Sequence, residues 1–223
     1  MKDKSGRSIN YLRISVTDKC NFRCRYCMPD PVPDVEHEEI LRYEEILRIC
    51  EAAVRLGIRK FKITGGEPLV RKGCVDFMRC LKETDGVETV TLTTNGMFVK
   101  EHIDEFKHMG LDGINISLDT LDRKQFHRLT GTDGVDAVVD AVAACVSAGL
   151  KTKINSVLLS ETKSQILRLA HLAQEMPVDV RFIEVMPIGF GRFEKGPTED
   201  AVLQILQAEY PDLAYRRDVR GNG

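Results

Sequence analysis

The chain has 223 residues, 43% of them apolar and 30% charged, enough for one large α/β domain or two small ones and ordinary for a globular protein. Its net charge of −2 excludes a global field that would recruit nucleic acid or an anionic membrane, so an anionic ligand must be met by a local basic cluster. No apolar run reaches the roughly 18 residues of a membrane span, and the first ten residues are polar with no apolar signal core; a soluble, cytoplasmic protein is expected.

Along the chain, short β-branched runs alternate with amphipathic stretches. Strands are predicted at residues 12–16, 60–64, 89–93, 113–117, 152–157 and 180–185. Helices are predicted between and after them at 43–56, 74–83, 101–109, 123–129, 135–148, 163–175 and 199–209. Gly57, Gly110 and Gly149 each follow a helix and precede an apolar residue, the pattern of a left-handed C-terminal cap. Strand–helix alternation implies a parallel sheet with right-handed crossovers. Six units predict an α/β fold of the open, partial (β/α)6 TIM-like barrel type, with helices outside and one domain spanning 1–223. A doubly wound sheet fits the same periodicity.

Seven cysteines are an odd number, too few for a disulfide scaffold of this size, and three fall within eight residues. Cys20, Cys24 and Cys27 form a C-x3-C-x2-C loop directly after the first strand. Three thiolates in one loop can hold three corners of a cubane iron–sulfur cluster and leave the fourth iron open to a small molecule. Arg23 and Arg25 are placed to offset the anionic charge of such a cluster. A structural zinc site needs four closed ligands, and here the nearest histidine is His37, with no second cysteine pair at finger spacing. Cys50, Cys74, Cys80 and Cys145 fall in or beside predicted helices and read as core or helix-surface residues.

The loop Cys20–Cys27, with Tyr26 before its third cysteine, resembles the signature of the radical S-adenosylmethionine (SAM) superfamily. Gly65-Gly66-Glu67-Pro68, at the end of the second strand, resembles that superfamily's second motif. Five blocks narrow the resemblance to the GTP 3′,8-cyclase family of molybdenum-cofactor biosynthesis. They are the lead-in Leu12-Arg13-Ile14-Ser15-Val16-Thr17-Asp18-Lys19-Cys20, then Ile63-Thr64-Gly65-Gly66-Glu67-Pro68-Leu69 and Leu92-Thr93-Thr94-Asn95-Gly96. Asn115-Ile116-Ser117-Leu118-Asp119 and Arg181-Phe182-Ile183-Glu184 complete the set. The match runs in order over about residues 7–189, leaving 190–223 as the last helix and a tail. Each block lies at or near the C-terminal end of a predicted strand, the rim where barrels of this type assemble active sites.

The resemblance implies a [4Fe–4S] cluster on Cys20, Cys24 and Cys27, with SAM chelated at the open iron and cleaved reductively to a 5′-deoxyadenosyl radical. Tyr26, Gly66, Ser117 and Met186 match family positions that contact SAM; judged alone, Ser117 reads as an ordinary strand end and Met186 as core packing. Glycine at 66 suits a close backbone approach, and Pro68 suits the turn after it. Arg13, Lys62, Thr93 and Lys153, on different strands, match positions that contact GTP. The chain has no G-x-x-x-x-G-K-[ST] phosphate loop, so discrete cations would have to hold a triphosphate. Lys60 shares a strand face with Lys62 and is a weaker candidate. The implied reaction is hydrogen abstraction from C3′ of GTP and attack of that radical on C8, giving 3′,8-cyclo-7,8-dihydro-GTP. A flavodoxin- or ferredoxin-like one-electron reductant and a downstream cyclic pyranopterin monophosphate synthase are the implied partners.

One departure is plain. Family members carry a second C-x2-C…C motif and a Gly-Gly tail, and after Cys145 this sequence has no cysteine. The basic, glycine-containing residues 216–223 read as a chain interrupted after its sixth unit, either a fragment or a shortened relative. An unclosed barrel leaves a strand edge exposed, which predicts poor solubility or self-association and allows a homodimer. Three other functions share some of these features: another radical SAM enzyme such as a peptide-modifying maturase or an activase, a non-catalytic SAM-binding remnant, and a zinc-stabilised binding module.

Overall fold

The computed structural model describes residues 4, 6–27 and 39–214. His37 and the tail at 216–223 lie outside the described residues. Six strands form one sheet in the order β1-β2-β3-β4-β5-β6, every neighbouring pair parallel. The strands are β1 Tyr11–Ser15, β2 Lys60–Thr64, β3 Thr89–Thr94, β4 Gly113–Ser117, β5 Thr152–Leu158 and β6 Val178–Glu184. The helices are α1 Tyr43–Arg55, α2 Cys74–Glu83, α3 Ile103–His108, α4 Arg123–Thr130, α5 Val135–Ser147, α6 Ile166–Glu175 and α7 Glu199–Glu209. Sequential strand order without reversal is that of an opened barrel and excludes the doubly wound alternative, whose order must reverse at a switch point. No helix among the described residues is long and apolar enough to cross a membrane.

Alternation along each strand separates two environments. Phe61, Ile63, Val90, Leu92, Ile114, Ile116 and Ile154 are at most 1% exposed and pack beneath the helices, against Cys50, Phe77, Met78, Phe106, Val138, Val142 and Cys145. The residues between them face the other way, into the concave side of the sheet. There the side chains are basic and polar, so the two faces have opposite chemistry.

The glycine caps form as expected, with φ of 94° at Gly57, 66° at Gly110 and 77° at Gly149. Ile58 N donates to Ala53 O at 3.0 Å, Leu111 N to Phe106 O at 3.0 Å and Leu150 N to Cys145 O at 3.0 Å. Each is the long bond of a Schellman motif, and it turns the chain from helix directly into the next strand.

Two helices start later than predicted. The turns Val99–His102 and Ser160–Gln165 are 3-10 helices ahead of α3 and α6. In the second, the Thr162 hydroxyl bonds to Leu159 O at 3.2 Å, a local side-chain bond that competes with α-helical pairing. β6 begins earlier than predicted, at Val178, because Pro177 ends the α6 segment and Val178 already pairs with Thr152.

The exit of β2 lies directly on the exit of β1. Gly66 N donates to Thr17 O at 2.7 Å, and Glu67 N donates to Lys19 O at 2.8 Å. A Cβ at Gly65 would sit 2.6 Å from Thr17 O, and one at Gly66 only 2.3 Å from Lys19 O. The close approach that glycine permits at position 66 is therefore to the chain's own backbone. Replacing Gly66 with Ala should push the segment leading to Cys20 outward and cost about 2–3 kcal/mol. Urea unfolding measures this, and a variant as stable as the parent would show that the contact yields freely.

Candidate active site

The segment after β1 is a loop anchored on α4. Phe22 is 3% exposed and meets Phe126 edge-on, with ring centroids 5.6 Å apart. Arg23 N donates to Thr130 O at 2.7 Å and Arg25 N to Leu129 O at 3.3 Å, so the loop backbone satisfies carbonyls at the end of that helix. Cys27 N donates to Cys24 O at 2.9 Å, closing the turn that carries the last two cysteines.

Cys20 and Cys24 are partly buried and Cys27 is exposed. Burial pushes all three thiols up; the negative charge of Asp119 adds to it at Cys24 and Cys27, that of Glu67 at Cys20, and the neighbouring thiols add further at Cys20 and Cys24. Thiols in this state hold their protons until a cationic centre displaces them. Among the described residues, no three His, Cys, Asp or Glu side chains converge on one ion-sized point. The donor set, three soft thiols with no fourth ligand beside them among the described residues, fits an iron–sulfur cluster with one open iron. Cys50, Cys74 and Cys145 are buried under the sheet and Cys80 is exposed on α2, so none of them joins the loop.

The two arginines of the loop differ, and Arg25 does not have the role expected of it. Arg25 is paired with Glu161 at 2.5 Å and Glu194 at 2.9 Å, and Arg23 donates to Cys20 O at 2.5 Å and Phe22 O at 2.9 Å. The charge of Arg25 is spent on the protein, tying the cysteine loop to the segments after β5 and β6, whereas Arg23 donates to neutral carbonyls and keeps its charge on the loop.

Tyr26 turns inward and donates to Asp119 Oδ2 at 2.6 Å, while Asp119 Oδ1 accepts from Val157 N at 2.8 Å. Burial pushes the Asp119 carboxyl up to about 6, with the Tyr26 hydroxyl and the Val157 amide opposing the shift. Burial also pushes the Tyr26 hydroxyl well up. Glu67, 1% exposed, accepts from Thr94 Oγ1 at 2.7 Å, Asn95 N at 2.6 Å and Leu69 N at 3.1 Å. It caps the Pro68–Val70 turn and pins the end of β3.

On the concave face, register brings the expected cations together. Arg13 is opposite Lys62, and Lys62 is opposite Thr91. Thr93, Asn115, Lys153 and Asp179 form one row across β3 to β6. Asn115 Nδ2 donates to Thr93 Oγ1 at 3.3 Å, and Lys153 Nζ lies 3.2 Å from Asp179 Oδ2. Lys62 is 7% exposed. Burial, then the charges of Arg181, Arg13 and Lys153, pull its ammonium down to about 8. Ser117 ends β4 in register with Asn155. Met186 stands apart, past β6 and 62% exposed, and so is not the packed core residue its sequence context allowed.

Sequence reasoning assigned no role to Arg181, Asp119, Glu67 or Asn95. Arg181 alternates with Val180 and Phe182, so strand parity with Lys153 and Asp179 was the available signal. The buried carboxylates gave none, because burial of an isolated acid is set by tertiary contacts.

The family model of the radical SAM superfamily matches residues 14–173. A curated relative from Clostridium perfringens (strain 13 / Type A), named GTP 3′,8-cyclase, is 43% identical over 100% of this chain and 70% of its own length. Another of that name, from Heliobacterium modesticaldum, is 46% identical over 86% of this chain and 59% of its own. The chain thus spans about 60–70% of the length of these relatives. Among solved structures, Streptococcus suis SuiB bound to S-adenosylmethionine aligns over 92% of this chain and 47% of its own, with TM-score 0.74 at 22% identity. Methylornithine synthase aligns over 92% of this chain and 63% of its own, with TM-score 0.70 at 18% identity. At those identities the likeness is one of fold.

The Asp119 carboxyl gives a pH test of this geometry. Its folded value of about 6 exceeds the ordinary 3.8, so between those pH values the folded chain binds more protons and loses stability as pH rises. Asp119→Asn should therefore gain on the parent from pH 4 to 6.5, by about 2 kcal/mol, and hold that gain above pH 7. Urea titrations of the metal-free chain across that range check it. A constant difference would mean the carboxyl ionises as easily folded as unfolded.

Proposed function

Because this chain belongs to the radical SAM superfamily and, within it, to the GTP 3′,8-cyclase family, we propose that it cyclises GTP to 3′,8-cyclo-7,8-dihydro-GTP in the first step of molybdopterin biosynthesis. The observation that carries this reading is the pairing of two sites on one sheet. Three thiols sit in a loop at the C-terminal rim, and Arg13, Lys62, Lys153 and Arg181 interact across the concave face. A near-neutral protein that gathers four cations on one surface, at the cost of mutual repulsion, is built to meet a polyanion.

In this reading Cys20, Cys24 and Cys27 hold a [4Fe–4S] cluster. Tyr26, Gly66, Ser117 and Met186 contact SAM; Arg13, Lys62, Thr93 and Lys153, joined by Arg181, hold the triphosphate. When bound, the cluster and SAM supply the 5′-deoxyadenosyl radical that takes the C3′ hydrogen. The residues orient the other half of the reaction. Cations on separate strands fix the phosphates, so the ribose is presented toward the rim with its entropy of orientation already lost. Gly66 holds the β2 exit against the segment before Cys20, and the Tyr26–Asp119 bond keeps the tyrosine turned inward.

The same reading supplies a low-potential one-electron donor of the flavodoxin or ferredoxin kind, delivery of the product to cyclic pyranopterin monophosphate synthase, and a cytoplasmic setting. Seven free thiols suit a reducing compartment. A homodimer through an open sheet edge is consistent with β1 and β6 each having one unpaired side among the described residues.

Anaerobic reconstitution with iron and sulfide, followed by SAM, dithionite and GTP, tests the activity by mass spectrometry. Formation of 5′-deoxyadenosine together with the cyclised nucleotide is the expected result. Deoxyadenosine without the cyclised product would assign the radical to another substrate, and a chain that takes up no iron would overturn the reading of the cysteine loop.

Lys62 adds a second expectation. Its ammonium, at about 8 in the ligand-free chain, is restored by a bound triphosphate, so binding takes up a proton near pH 8.5 and weakens toward pH 10. Calorimetry at that pH in buffers of different ionisation heat should record roughly three-quarters of a proton taken up. Lys62→Met should abolish that uptake and weaken GTP binding about tenfold, a loss of about 1.4 kcal/mol. Equal affinity in the variant would remove Lys62 from the site.

A further inference from the structure

The turn after β3 is held from below by Glu67 and reaches upward to a ligand thiol. Asn95 is 8% exposed, and its backbone N–H donates to Glu67 Oε2 at 2.6 Å. Its side-chain oxygen, Oδ1, accepts from Met97 N at 3.1 Å. A backbone N–H only donates, so the oxygen of the amide must face Met97 and the NH2 group must face the cysteine loop. From there Nδ2 donates to Asn21 Oδ1 at 2.7 Å and lies 3.9 Å from Cys20 Sγ. The same sulfur accepts from Phe22 N at 3.3 Å. One hydrogen of the Asn95 amide thus fixes the residue next to Cys20, and the other is aimed at the sulfur.

We propose that Asn95 is a positioning residue that tunes the cluster: its Nδ2–H bond to the Cys20 sulfur eases one-electron reduction. The proposal rests on the cluster reading above. Reduction adds one electron from a low-potential donor, makes and breaks no bond, and leaves more negative charge on the ligand sulfurs. A donor aimed at one of those sulfurs is worth more in the reduced state than in the oxidised one, which raises the potential. Glu67 and Met97 hold the amide in the productive orientation, in the way that outer groups orient metal ligands. Glu67 needs no proton transfer for this; it holds the turn through three donated hydrogen bonds.

The test is an EPR-monitored potential titration of the reconstituted cluster in the parent and two variants. Asn95→Leu removes the donor, and with it the acceptor for Met97 N, while keeping the number and branching of the side-chain heavy atoms. At a fixed ambient potential its reduced-to-oxidised ratio should fall three- to fivefold, a midpoint lower by about 30–40 mV at 59 mV per tenfold. Asn95→Asp keeps the acceptor for Met97 N, so the turn is retained, and sets a negative charge by the sulfur; its midpoint should fall further. A cluster-loaded Asn95→Leu or Asn95→Asp chain with the parent's midpoint would overturn the proposal. So would loss of cluster uptake in both variants with the fold intact by circular dichroism, since Asn95 would then be needed only to build the loop. A parent chain without iron ends the cluster reading itself, whereas an iron-loaded parent with unmoved variants ends this inference alone.

Discussion

The rim of this barrel depends on one backbone-to-backbone contact, the seating of Gly65 and Gly66 against residues 17–19. Two N–H groups leaving β2 donate to two carbonyls leaving β1, at 2.7 and 2.8 Å. Neither bond could form with a Cβ in the way, since that atom would lie 2.6 Å or less from a carbonyl oxygen at both glycines. The contact matters because it sets where the chain stands when it reaches Cys20. From the same turn, Glu67 reaches under the rim and fixes Thr94 and Asn95. One dipeptide of glycine followed by one acid therefore aligns the exits of three strands, β1, β2 and β3.

The remaining strands are tied in by the cysteine loop itself. Tyr26 reaches Asp119 after β4, whose other oxygen caps Val157 of β5. Arg25 reaches Glu161 after β5 and Glu194 after β6. A partly exposed ion pair is worth little alone, about 0.2–1 kcal/mol. Arg25 engages two carboxylates from different segments, so its contribution is to the relative placement of loops more than to stability. An unclosed sheet has no ring of hydrogen bonds to hold its shape. Here a loop that touches segments after every later strand supplies part of that restraint.

The concave face shows the opposite economy. Lys62 is almost fully buried among other cations, and its ammonium is pulled down to about 8. Core logic would place an apolar residue at so buried a position, as at the neighbouring Phe61 and Ile63, both 0% exposed. A site that opposes its own folding in the empty state and is relieved by an anion couples ligand binding to stability. The row Thr93, Asn115, Lys153 and Asp179 differs, because Lys153 has Asp179 beside it. The two lysines are therefore not equivalent: one is held in reserve by a carboxylate, the other by its own shifted titration.

Most of the architecture was legible because it rests on local signals. Strand parity separated Phe61 and Ile63 from Lys62, and glycine after each of three helices marked where the chain reverses. The C-x3-C-x2-C spacing pointed to a cluster because soft ligands crowded in sequence are crowded in space. What escaped depends on contacts between distant residues. Arg25 lies between Cys24 and Cys27 and was expected to offset the charge of a cluster, yet acids at 161 and 194 claim it, and no local pattern announces partners so far along the chain. Glu67 sits inside a recognisable motif, but its service to the β3 turn is visible only once β2 and β3 lie side by side. Asn95 is the clearest case. Its meaning depends on which way one amide points, and that is decided by the N–H of Met97, two residues away, acting together with a thiol 75 positions earlier. Spacing can say that a cluster will be held; the environment that sets its potential is written in the packing of loops from different strands.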